Sequence, residues 1–133
     1  MAASGAFTLG KEERLCSRML IDRLFKGSGS RSLSAYPLRA VYMQIESDGQ
    51  GPQVQMLVSV PKKCFKRAVK RNRVKRQVRE AFRKNKQKLT ERMAVTTDKA
   101  VVVAFIWLDS KLYSSVSVEA QVCNLLERMG ERL

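Results

Sequence analysis

The chain has 133 residues, 44% of them hydrophobic, with 26 Lys and Arg against 12 Asp and Glu, no histidine and a formal net charge of +14. This length suits one domain with a real core. A charge that high needs a polyanion, and the missing histidine removes the commonest general base and metal ligand.

In chain order, residues 1–6 read as a loose tail ahead of a domain over 7–133. Ser17 is a candidate cap for a short helix whose apolar face is Leu20, Ile21, Leu24 and Phe25. Gly27, Ser28, Gly29 and Ser30 end it. Tyr36–Ile45 reads as a strand. Leu38, Ala40 and Tyr42 share one of its faces; Arg39, Val41, Met43 and Ile45 share the other. Residues 46–53 form a loop. Val54–Val60 is a second strand, closed by Pro61, which cannot donate a ladder hydrogen bond.

A basic loop and then a helix from about Arg67 to Lys88 follow. Val101–Ile106 is a continuous apolar run, as in a central strand buried on both faces. Val118, Val122, Leu125, Leu126 and Met129 mark a last amphipathic helix, with Ser117 as its cap. The expected order is α-β-β-α-β-α. The expected fold is α+β: a single domain with a three- or four-stranded sheet and packed helices.

The charge is concentrated. Residues 62–88 hold 14 of the 26 basic residues and one acid, Glu80, so 13 of the 14 net charges sit in about a fifth of the chain. Val74, Val78, Ala81 and Phe82 form the apolar stripe of an amphipathic helix. Asn72, Arg76, Arg79 and Arg83 fall on the opposite side, along about 16 Å of helix axis. Glu80 sits one residue from Arg79 and four from Lys84, so it can tether a neighbouring base. Lysine-rich solubilising helices normally mix both signs through i, i+4 pairs. Arginine offers a planar fork of donors suited to phosphate oxygens and base edges. Nucleic-acid binding is the expected function, and counterion release its driving term.

Catalytic signatures are lacking. The cysteines Cys16, Cys64 and Cys123 are far apart and form no C-x-x-C, so they read as reduced thiols. No G-x-S-x-G, phosphate-binding glycine loop or paired-carboxylate site is visible. No catalytic residue and no metal site is assigned to the chain. The longest apolar run, Ala100–Leu108, is too short to span a membrane. No secretion signal is evident, so a cytoplasmic location is expected. Phe25, Tyr36 and Tyr42 are candidates for stacking on unpaired bases, although each could equally belong to the core. Trp107 reads as core.

Residues 68–80, AVKRNRVKRQVRE, carry a more specific signal. They resemble the R-N-R-x-K-R-x-x-R-E core of the bacterial ribonuclease P protein component, with Arg71, Asn72, Arg73, Lys75, Arg76, Arg79 and Glu80 in register. Phe7, Arg14-Leu15 and Leu24-Phe25-Lys26 resemble that family's opening F…RL…VFK pattern. Residues 59–63, SVPKK, resemble its strand end, and Asp98 with Val101–Ala104 resembles its D-x-V-x-x-A strand. The likeness runs over about residues 7–128. Ile21 departs from it, standing where the family usually has an aromatic. The loop at residues 64–67 is one residue longer than usual and lacks a glycine.

The resemblance implies a fold like the second domain of a ribosomal small-subunit protein, with a left-handed β-α-β crossover. It implies a protein subunit of ribonuclease P whose partners are the catalytic RNA subunit and precursor tRNA. The RNA, with Mg2+ held by RNA and substrate, would hydrolyse the precursor to give the mature 5′ end. RNA binding is then expected at Arg71, Asn72, Arg73, Lys75, Arg76, Arg79 and Arg83, and at Lys62, Lys63, Lys66 and Arg67. Leader binding is expected at Phe25, Ile21, Tyr36 and Tyr42. No obligate protein partner and no membrane is implied. The alternative is a ribosomal or ribosome-assembly protein. A DNA-binding regulator fits less well, because no helix-turn-helix or dimerisation heptads appear. A membrane-surface protein fits less well too, because the basic helix lacks interfacial aromatics.

Overall fold

The computed structural model describes residues 18–26, 29–46, 53–93 and 99–132. In chain order the elements are α1 (Arg18–Lys26), β1 (Arg31–Ala35), β2 (Leu38–Glu46), β3 (Val54–Ser59), α2 (Ala68–Asn85), α3 (Gln87–Met93), β4 (Lys99–Trp107) and α4 (Ser115–Arg132). The strands form a four-stranded sheet in the order β1-β2-β4-β3. β1, β2 and β4 run antiparallel in turn, while β3 lies parallel to β4. The parallel pair needs a crossover, and α2 with α3 supplies it. The expected tail, the Ser17 cap, Phe7, Arg14, Leu15, Asp98 and most of the loop after β2 lie outside the described residues.

β4 is central and apolar because both of its faces are covered. Val101, Val103, Phe105 and Trp107 join Leu38, Ala40, Tyr42, Val54, Met56 and Val58 on one face. There they meet Val74, Val78, Ala81 and Phe82 of α2, Leu89 of α3, and Val118, Val122, Leu125, Leu126 and Met129 of α4. On the other face Val102 and Ala104 join Val41, Met43 and Leu24 of α1. Leu20, Ile21, Ile45, Leu57 and Ile106 are only partly buried against that second cluster. Among the described residues, one sheet face is therefore closed by three helices, and the other carries a single short one.

Two elements differ from expectation. The strand expected over Tyr36–Ile45 is β2, which starts at Leu38, and an unexpected strand, β1, precedes it across a turn containing the cis Tyr36–Pro37 bond. β1 was hidden because Leu33 is its only buried residue, and its serines read as a continuation of the preceding loop. The basic helix ends at Asn85, and α3 resumes the path to bring fully buried Leu89 into the core. The cap of α4 also moves: the Ser117 N–H donates to Ser114 Oγ at 3.2 Å. Ser114, not Ser117, thus supplies the side-chain acceptor for a first-turn donor.

Phe82 anchors α2. It is fully buried, and its ring meets that of Phe105 edge-on at 6.1 Å between centroids. Phe82→Ala should cost about 3–5 kcal/mol through lost transfer energy and a residual cavity. In urea unfolding the midpoint should fall while the m-value stays fixed.

Candidate nucleic-acid interface

The stripe Val74, Gln77, Val78, Ala81 and Phe82 is buried in α2, which turns Asn72, Arg73, Arg76 and Lys84 fully outward. Gln77 is the unexpected member of the stripe. Its Nε2 donates to the Tyr113 carbonyl at 2.9 Å and the Ser115 hydroxyl at 3.2 Å. This bond ties the middle of α2 to the start of α4 and fixes the helix's rotation. The exposed side of α2 is therefore aimed, not free to roll.

The arginines of this helix have different tasks. Arg71 Nη1 donates to the carbonyls of Phe65 at 2.7 Å and Lys66 at 2.8 Å. It thus straps the preceding loop, whose Cys64 N–H also closes on the Pro61 carbonyl at 3.0 Å. Phe65 is buried in the main core and pins that loop from within. Lys62, Lys63, Lys66 and Arg67 are left exposed around it. Arg83 forms an ion pair with Glu80, its Nε donating to Oε2 at 3.1 Å. The neighbouring base that Glu80 tethers is thus Arg83, one turn further on. The hydrogen bond from Arg83 holds the Glu80 carboxyl below its usual range. Arg67 occupies the N-cap of α2 without a side-chain cap bond, and no acid lies in the first turn. The helix dipole therefore adds to the basic charge at that end.

A second feature lies on the other side of the sheet. The C-terminal end of α1 and the sheet enclose an open cleft of about 390 Å³, lined by Leu24, Phe25, Ser30, Arg31, Ser32, Arg39, Val41 and Ile106. Phe25 is 47% exposed, so its ring is available there. Ile21 packs partly buried against the second core instead. Tyr36 is 60% exposed but sits at the β1–β2 turn and is not among the cleft's lining residues. Burial and then the nearby Asp109 carboxylate raise its hydroxyl pKa. Tyr113, hydrogen-bonded to Asp109 at 2.6 Å, is pushed up to about 12.

Tyr42 must be removed from the stacking candidates. It is 2% exposed and lies in the core between sheet and helices, out of reach of any base. Arg39 and Arg31 were missed as cleft residues. The signal for Arg39 was present: it is the one charge on a strand face otherwise made of Val41, Met43 and Ile45.

Known proteins are similar to this chain in sequence and in fold. The family model described as Ribonuclease P matches residues 9–129. A ribonuclease P protein component of Porphyromonas gingivalis is 41% identical over 132 residues, covering 98% of this chain and 92% of that protein. One from Chlorobium phaeobacteroides is 43% identical over 84 residues, 62% of this chain and 56% of that protein. Among solved structures, the RNase P protein from Thermotoga maritima superposes with a TM-score of 0.66 at 24% identity, covering 87% of this chain and 96% of that one. The Staphylococcus aureus RNase P protein gives 0.66 at 19% identity, covering 88% and 94%. These two likenesses establish the shared fold, and the family match with the 41% identical relative establishes the rest: the chain belongs to the ribonuclease P protein family.

Proposed function

We propose that this chain binds the catalytic RNA of ribonuclease P through the outward side of α2, and the 5′ leader of precursor tRNA through the cleft beside α1. The observation that carries the reading is the fixed rotation of α2, which presents Asn72, Arg73 and Arg76 together. Lys75, Arg79 and Arg83 flank that row, and the strapped loop adds Lys62, Lys63, Lys66 and Arg67. A rigid row of forked donors can match a fixed array of phosphates, which a flexible charge cloud cannot.

The chain is not assigned the chemistry. Among the described residues no group of three or more His, Cys, Asp or Glu side chains could hold a metal ion. Mg2+ is placed on the RNA and the substrate, where it would supply activation of the hydrolytic water. The role of this chain is to neutralise backbone charge and to orient the leader. No described helix is long and apolar enough to cross a membrane. A cytoplasmic site of action is part of the proposal.

Purified protein in magnesium should leave precursor tRNA intact. Adding the RNA subunit should restore cleavage at the mature 5′ end, read by end mapping. Cleavage by RNA-free protein, with contaminants excluded, would overturn the assignment.

A further inference from the structure

A small cavity lies at the edge of the sheet, on the face covered by α4 and away from α2. Its volume is about 240 Å³, and Gly29, Arg31, Tyr42, Met43, Gln44 and Arg132 line it. That is below the roughly 300–1,000 Å³ of a site for a drug-sized ligand. Arg31 stands directly opposite Tyr42 in the β1–β2 register, so the two side chains share a face. Gln44 follows on the same face, and Arg132 arrives from the last turn of α4. Arg128 Nη1 holds α4 against this edge strand by donating to the Ser34 carbonyl at 2.7 Å.

Tyr42 supplies the second, independent observation. Its hydroxyl is buried without a hydrogen-bond partner among the described residues. Buried hydroxyls are nearly always paired, because an unpaired one loses its hydration for nothing. Here an unpaired donor belongs to a residue that lines a cavity with two guanidinium groups and an amide. Neither neighbouring acid lines the cavity: Glu131 lines a groove with Lys88, Glu91 and Glu127, and Glu46 lines one that Gln44 shares with Leu20, Arg23 and Lys99. The C-terminal dipole of α4 opposes an anion, but at about half a charge it is outweighed by two guanidiniums.

We propose that Arg31, Arg132, Gln44 and the Tyr42 hydroxyl form a binding site for one phosphoryl group, separate from the α2 surface. Arg31 also lines the cleft beside α1, so site and cleft meet around the edge of β1. The group could be a phosphodiester of an RNA strand leaving the cleft, or a free phosphate. The site itself stands on the cavity and does not depend on the reading of α2.

The test follows the arginine Nε–Hε resonances of the full chain during titration with inorganic phosphate at constant ionic strength. Arg31 and Arg132 should shift together and saturate, with exposed Arg18 of α1, outside the cavity, the cleft and the α2 surface, as internal reference. Gly29→Asp places a carboxylate at the cavity, and among the described residues beyond its chain neighbours no atom lies within 4 Å of an added Cβ. It should weaken phosphate binding at Arg31 and Arg132 by about tenfold or more. Tyr42→Phe should raise Tm in phosphate-free buffer and shrink the Tm gain that phosphate gives. Absence of a saturable shift at Arg31 and Arg132 overturns the proposal, as does wild-type affinity in folded Gly29→Asp. Should Gly29→Asp not fold, an undiminished phosphate-dependent Tm gain in Tyr42→Phe overturns it. A second titration uses an oligoribonucleotide without terminal phosphates. A shift of the same two resonances assigns the site to the RNA backbone. A response to inorganic phosphate alone assigns it to a free phosphate.

Discussion

Replacing Arg76 by alanine should weaken binding to the RNA subunit by about 1–3 kcal/mol and reduce the salt dependence by about one phosphate contact. Adding Arg73→Ala should deepen the loss. The sum should fall short of additive, because residues three apart on one helix share a phosphate environment. Arg76→Lys should recover only part of the affinity, since an ammonium keeps the charge but not the fork. Asn72→Ala should also cost affinity with no change in the salt slope, because it removes a hydrogen-bonding group and no charge. Arg71→Ala should behave differently from the others. Its guanidinium straps the carbonyls of Phe65 and Lys66, so its loss should free the loop and speed amide exchange around Cys64. Filter binding across a potassium chloride series, with exchange measured in parallel, separates these outcomes. Normal binding by both Arg76→Lys and Asn72→Ala at every salt concentration would reduce the helix to a counter-charge cloud.

The uneven roles of these arginines mark what could be read from the sequence and what could not. The stripe Val74, Val78, Ala81 and Phe82 is periodic, so the rotation of α2 was legible; of the expected outward row Asn72 and Arg76 are exposed, while Arg79 and Arg83 are only partly so. The strap made by Arg71 was not, because its partners are backbone carbonyls, and every residue type carries those. Gln77 was equally silent: a polar residue enters a core only where a specific acceptor waits, and Tyr113 lies 36 residues away. The alternation of β2 correctly grouped Tyr42 with Leu38 and Ala40. Which face receives α2 and α4 depends on the order β1-β2-β4-β3, a property of the whole sheet. Tyr42 was therefore assigned to the right face but given the wrong task. β1 escaped because one buried leucine among serines makes no period. β4 stood out because burial on both faces left nothing polar from Ala100 to Trp107.

The second large effect concerns the leader. Phe25→Ala should weaken binding of precursor tRNA by about 1–3 kcal/mol, the worth of one base stacked on an aromatic ring. Because the ring is 47% exposed, its removal leaves no closed cavity, and thermal unfolding should change little. Mature tRNA, which carries no leader, should bind with unchanged affinity. Arg39→Gln should weaken the same substrate selectively and flatten its salt dependence, since Arg39 lines the cleft beside Phe25. Tyr36 provides the internal comparison. It is exposed but outside the cleft lining, beside Asp109 and Cys64. If the leader extends past the cleft to the β1–β2 turn, Tyr36→Phe should be tolerated and Tyr36→Ala should lose affinity only for leader-bearing substrates. If it stops at Phe25, both Tyr36 variants should bind like wild type. Equal losses for precursor and mature tRNA in Phe25→Ala would show that the ring supports the RNA-subunit interface, and that the leader lies on another surface.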